Sequence, residues 1–174
     1  RKTIADYIGF KKENVLVGNG SDEIIDTIGK AFISPLDKVL IPSPTFSLYS
    51  SITRVYSGIP IIIPINNDYT LPVEKVISEA KNAKISIICS PNNPTGIAYS
   101  DDEIKSIFDT GILVVLDKAY SEFSNHSGLS LLNDYDNLIV MKTFSKAFGL
   151  AGFRTGYCVA SETLIESMSK VILP

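Results

Sequence analysis

Short runs of consecutive apolar residues alternate with longer stretches whose apolar positions recur every three or four residues, from one end of the chain to the other. The runs predict strands over Val15–Val17, Lys38–Ile41, Ile59–Ile63, Ile85–Cys89, Leu113–Leu116, Leu138–Lys142 and Gly156–Ala160. The stretches between them predict helices over Ser21–Ile33, Thr45–Ser57, Val73–Ala80, Ser100–Thr110 and Ser161–Leu173. Ile61-Ile62-Ile63 and Leu113-Val114-Val115-Leu116 are apolar at successive positions, so these strands need cover on both faces. A mostly parallel seven-stranded sheet between helix layers, a three-layer α/β/α sandwich, is therefore expected.

Punctuation supports these boundaries. Ser100 stands before Asp101, Asp102 and Glu103, an N-cap followed by acids in the positive first turn of a helix. Pro42, Pro44, Pro91 and Pro94 follow apolar runs and should end strands. The link from Lys142 to Gly156 is too irregular for a helical crossover, so the last strand should run antiparallel to its neighbours. With no linker, repeat or low-complexity tract, residues 1–174 read as one domain.

Composition narrows the chemistry. Of 174 residues, 45% are hydrophobic and 20% charged, which suits a globular core and excludes disorder. A net charge of −3 without a basic run leaves no electrostatic footprint for nucleic acid or an anionic membrane. No apolar stretch approaches the roughly 20 residues of a spanning helix, and the start Arg1-Lys2-Thr3 has no signal-peptide segment, so a cytoplasmic protein is expected. Cys89 and Cys158 lie in apolar runs and read as buried, reduced packing residues. His126, the single histidine, has no second imidazole with which to build a metal site and reads as a loop residue.

In open α/β sheets functional groups collect at the carboxyl ends of the strands. After the first strand, Gly18-Asn19-Gly20-Ser21-Asp22-Glu23 opens a helix whose free N–H groups suit an anion. Glu23 fills the third glycine position of a dinucleotide fingerprint and no Gly-Lys-Ser/Thr follows, so any anion bound there is one phosphate; read alone, the segment is first of all an ordinary capped helix after a tight turn. Asp117 ends an apolar strand, where a lone carboxylate needs a cation or strong donors, although a turn cap or a pair with Lys118 would also serve. Thr143-Phe144-Ser145-Lys146 with Arg154 is a plausible phosphate cradle, or a polar loop with an exposed lysine. In Ser90-Pro91-Asn92-Asn93-Pro94-Thr95-Gly96 the prolines restrict the backbone and can hold an amide donor in place, although turns favour these residue types too.

Taken in order, these segments together with Pro44-Thr45-Phe46, Asp117-Lys118-Ala119-Tyr120 and Thr143 to Arg154 resemble the fold-type I pyridoxal-phosphate enzymes, the aspartate aminotransferase superfamily. Among its branches the chain is most similar to the histidinol-phosphate aminotransferases. The resemblance implies a pyridoxal 5'-phosphate cofactor with Lys146 as the Schiff-base lysine and proton shuttle, Asp117 as partner of the pyridine nitrogen, and Tyr120 and Asn93 as donors to the ring oxygen. An ammonium with an ordinary pKa of about 10.4 must lose its proton before it can act as that base. Phe46 would stack on the ring. Ser21 and Asp22 would offer backbone N–H groups to the phosphate, with the Asp22 side chain turned away, and Thr143, Ser145 and Arg154 would complete the phosphate site.

The implied reaction is transamination of histidinol phosphate with 2-oxoglutarate in histidine biosynthesis, between a small-molecule amino donor and an oxo-acid acceptor, in a homodimer. Aromatic or aspartate aminotransferases, threonine-phosphate decarboxylases and a non-catalytic ligand-binding module are the alternatives. Where the family carries Asp-Glu-Ala-Tyr this chain has Lys118 beside Asp117, a position that should face away from the ring. Family members also carry an N-terminal arm and a C-terminal small domain, so the 174 residues read as the cofactor-binding large domain, weak or inactive by itself.

Overall fold

Seven strands hydrogen-bond into one sheet in the computed structural model, which describes residues 1–172. In chain order the elements are α1 (Lys2–Ile8), β1 (Val15–Asn19), α2 (Ser21–Phe32), β2 (Lys38–Ser43), α3 (Leu48–Val55), β3 (Ile59–Pro64), α4 (Val73–Ala80), β4 (Ile85–Cys89), α5 (Asp101–Phe108), β5 (Leu113–Asp117), β6 (Leu138–Thr143), β7 (Thr155–Ala160) and α6 (Glu162–Ser169). The sheet order is β1-β7-β6-β5-β4-β2-β3. β7 is antiparallel to both β1 and β6, while β2 to β6 pair in parallel, so six strands share one direction and only β7 opposes them. The antiparallel last strand expected from the irregular link is present, because that link contains only a short 3-10 turn at Ala151–Phe153.

Period-two alternation divides the core between the two faces. Leu16, Val39, Ile41, Ile85, Ile87, Val115, Ile139, Met141 and Cys158 point to the side covered by α2, α3 and α6. Leu40, Ile88, Val114, Leu116, Leu138 and Val140 point to the side covered by α4 and α5. On this second side α1 lays Ala5 over Val15, Tyr157 and Val159. Both faces of the central strands are thus dry, as their unbroken apolar runs required.

Several sequence expectations change. β3 is an edge strand with Ile62 47% exposed, so its apolar triplet is not covered on both faces. Pro42 lies inside β2 rather than ending it; the recorded β2–β4 ladder involves only Val39 and Leu40, so the missing N–H of Pro42 falls beyond that pairing. Helix α1 was not expected, and the helix read as Thr45–Ser57 is confined to α3, leaving Phe46 in the approach to it. The helix read over Ser161–Leu173 begins one residue later, and its last residue lies outside the described residues. Ser100 does cap α5: its hydroxyl accepts the Glu103 N–H while the Glu103 carboxylate accepts the Ser100 N–H, a complete capping box. Among the described residues no helix is long and apolar enough to cross a membrane.

Candidate active site

All ten residues singled out from the sequence line one cleft at the carboxyl edge of the sheet. Topology explains the convergence, since β1, β2, β4, β5 and β6 all deliver their following loops to the same edge. Ser21 and Asp22 follow β1, Phe46 follows β2, Asn93 follows β4, Asp117 and Tyr120 end and follow β5, and Thr143, Ser145, Lys146 and Arg154 end and follow β6. Tyr49, Cys89 and Ala119 also line the cleft and were not read from the sequence as site residues.

Asp117 forms the floor. Its side chain is buried and opposes Cys89 in the β4–β5 register. The Tyr49 hydroxyl donates to Oδ2 at 2.7 Å and the Ala119 N–H donates to Oδ1 at 2.9 Å. Burial pushes the carboxyl above its ordinary 3.8, and the charge of Asp22 adds to the rise; the donors from Tyr49 and Ala119 and the charge of Lys146 oppose it. A desolvated carboxylate with acceptor capacity left over is a site awaiting a cation. Beside it burial pushes the Cys89 thiol up to about 12, so Cys89 remains a packing residue although it touches the cleft.

The anion end of the cleft is built at the start of α2. Gly20 has φ 85, and a Cβ there would meet the Arg154 guanidinium at 2.7 Å. A Cβ on Gly156 would run into the backbone of Ser21 and Gly20, so only glycine lets β7 pass beneath the helix start. The Glu23 carboxylate takes the Asn19 N–H, which fixes the turn and leaves the first-turn N–H groups of α2 free for an anion. Asp22 behaves differently from expectation: its carboxylate reaches Arg154 Nη2 at 3.5 Å instead of turning clear of the site. That pair is half exposed on both sides, so it is weak and readily exchanged. Thr143 is also partly committed, since its hydroxyl donates to Thr155 O at 3.4 Å and accepts the Ser145 N–H at 3.2 Å, which orients Ser145.

Lys146 stands in the exposed loop between β6 and β7, its Nζ 5.5 Å from the centroid of the Tyr120 ring. Phe144 anchors this loop by packing on Phe148 and Tyr157 at centroid distances of 5.1 and 5.4 Å. The double asparagine divides its tasks. Asn92 is buried and holds the turn, accepting from Thr45 and donating to Pro44 O and Thr95, whereas Asn93 lines the cleft. His126 is a half-buried loop residue outside the cleft.

Lys118 does not line the cleft. It points to the opposite face, fully buried, with Nζ 3.5 Å from Ser90 Oγ. Burial pushes its ammonium down to about 8; Asp101 and Cys89 resist this and Lys142 reinforces it. The unfolded chain then holds more protons between about 8 and the ordinary 10.5, so this group makes the fold more stable as pH rises through that window. Lys118→Met should be as stable as the parent or more so at pH 7 and should lose that advantage, at most about 3 kcal/mol, toward pH 10. Denaturant unfolding of both proteins across the window checks this; a gap independent of pH would remove the assignment.

Known proteins resemble the chain in sequence and in fold. The family description "Aminotransferase class I and II" matches residues 1–174. The chain is 43% identical to the histidinol-phosphate aminotransferase of Pyrococcus furiosus, over 100% of this chain and 51% of that relative. The chain thus spans about half the length of the curated relatives it matches. Among solved structures, the histidinol-phosphate aminotransferase of Clostridium acetobutylicum superposes with a TM-score of 0.91 at 22% identity, covering 99% of this chain and 53% of that one. The Sinorhizobium meliloti enzyme, solved in complex with pyridoxal-5'-phosphate, superposes with a TM-score of 0.89 at 24% identity, covering 98% of this chain and 48% of that one. At these identities the two structures speak for the fold.

Proposed function

Because the chain belongs to the family of class I and II aminotransferases, we propose that it is the cofactor-holding large domain of a pyridoxal-phosphate-dependent transaminase that converts histidinol phosphate with 2-oxoglutarate in histidine biosynthesis. The observation that carries the reading is the convergence of residues from five separate loops on one cleft whose floor is a buried carboxylate and whose far end is a helix N-terminus. Such a cleft suits a ligand with a cation at one end and a phosphate at the other. When bound, pyridoxal phosphate supplies an electron sink for the carbanion at the substrate α-carbon.

The chain's own residues supply binding and proton transfer. Asp117 pairs with the protonated ring nitrogen and Phe46 covers a ring face. The Tyr120 hydroxyl and the Asn93 amide donate to the ring oxygen. Arg154, Ser145, Thr143 and the N–H groups of Ser21 and Asp22 hold the phosphate, with the planar guanidinium exchanging its weak contact to Asp22 for a doubly charged partner. Lys146 would hold the cofactor covalently, and its free Nζ would take a proton from the substrate α-carbon as general base. The reading includes a cytoplasmic homodimer using a small-molecule amino donor and an oxo-acid acceptor. The relatives' shared name supports histidinol phosphate as the substrate over aspartate or an aromatic amino acid. An amino-donor panel with the cofactor-loaded transaminase of which this chain is the large domain tests it: formation of the amine form of the cofactor with histidinol phosphate is expected, and turnover of tyrosine or aspartate without it would remove the substrate assignment.

A further inference from the structure

Tyr49 lies outside the set read from the sequence, yet its hydroxyl touches the one buried carboxylate in the cleft. A carboxylate offers about four acceptor positions. Within the protein Asp117 accepts from two donors of different kinds. The Ala119 N–H is backbone, two residues further on, and present whichever side chain stands there. The Tyr49 hydroxyl arrives from α3, 68 positions away in sequence, on a side chain with no solvent exposure. Burial first, and then the charge of Asp117, pushes ionisation of the phenol well above its ordinary range, so Tyr49 remains a donor throughout the working pH of the protein. The same ring meets Phe46 edge-on, with centroids 5.7 Å apart and planes at 87°.

We propose that Tyr49 is a positioning residue that acts through Asp117: its hydroxyl holds the carboxylate ionised and aimed into the cleft for a cationic ring nitrogen, while its ring sets the attitude of Phe46. One side chain thereby couples the charge under the cofactor ring to the aromatic face against it. The inference rests on the pyridoxal-phosphate reading above. Without the Tyr49 donor, burial and the charge of Asp22 act on Asp117 against the Ala119 N–H and Lys146 alone, and the acid keeps its proton to higher pH.

The test uses two probes that lack the aldehyde and differ only at the ring nitrogen, pyridoxamine 5'-phosphate and its 1-deaza analogue, titrated against the cofactor-free protein between pH 5 and 9. The parent should prefer the pyridine probe. In Tyr49→Phe, which retains the ring against Phe46, that preference should fall about tenfold, as for a lost hydrogen bond to a charged group, with affinity for the deaza probe nearly unchanged. The acid limb of the preference should move to higher pH. Site-specific 3-fluorotyrosine at position 49, a stronger donor of nearly the same shape, should move it to lower pH and keeps the test available if the phenylalanine variant folds poorly. A parent that prefers the pyridine probe, alongside variants with the same preference and the same limb, overturns the role of Tyr49 alone. A parent without preference overturns the pairing of Asp117 with a ring nitrogen and this inference with it.

Discussion

Lys146→Ala is expected to abolish covalent capture of the cofactor and, in the transaminase of which this chain is the large domain, to lower transamination by at least about three orders of magnitude, the loss of a positioned general base compounded by the loss of the covalent step. The geometry gives the lysine no understudy. Lys142 is buried and held by Glu122 at 2.8 Å and Ser121 at 2.6 Å, and Lys118 faces the other side of the sheet. Lys146 is the lysine lining the cleft, on a loop that Phe144 pins to β7. Borohydride reduction after addition of pyridoxal phosphate, followed by peptide mapping, should place the pyridoxyl group on Lys146 in the parent and leave the variant unlabelled. Labelling at any other lysine of the parent would sink the assignment. Because the phosphate and ring contacts come from other residues, the variant should still bind pyridoxamine phosphate, which separates loss of chemistry from loss of the site.

Much of this cleft was legible before any coordinate. The central strands announce themselves because a sheet covered on both faces demands consecutive apolar residues, and the turn residues after them sit at its carboxyl edge by topology alone. What escaped did so for physical reasons. Asp117 and Thr143 prolong β5 and β6 beyond their apolar runs, because backbone ladder bonds are indifferent to the polarity of the side chain. Helix α1 lacks a capping side chain and buries only Ala5, too short a periodic signal to read. Tyr49 sits three residues beyond Phe46, and that spacing was the available hint; within an amphipathic stretch it reads as one more core aromatic, since a phenol's partner 68 residues away has no local signature. The Asp22–Arg154 contact was invisible for the same reason, being set by how β7 passes under the start of α2.

Asp117→Asn carries the second large effect, and its sign should reverse with the ligand. In the cofactor-free protein the folded state holds the Asp117 proton to higher pH than the ordinary 3.8, so between that value and the raised folded pKa the native state binds more protons than the unfolded chain. The parent therefore loses stability as pH rises through this window, and above it the cost of the buried charge stands in full. The amide is nearly isosteric and carries no charge, so the cofactor-free variant should match the parent at pH 4 and exceed its stability at pH 8, by on the order of 1–3 kcal/mol. With the cofactor present the order inverts. A cationic ring nitrogen supplies the partner that the carboxylate lacks, whereas the amide cannot pair with it, and breaking one member of such a buried pair typically costs about 3–5 kcal/mol. Saturating pyridoxal phosphate should then raise the melting temperature of the parent strongly and that of the variant little, with affinity down about a hundredfold or more. Melting curves for both proteins, with and without cofactor at two pH values, give all of these comparisons. A variant destabilised without cofactor at pH 8 would mean that Asp117 is a structural cap whose donors satisfy it, and the case for a cationic ligand at the floor of the cleft would fall with that result.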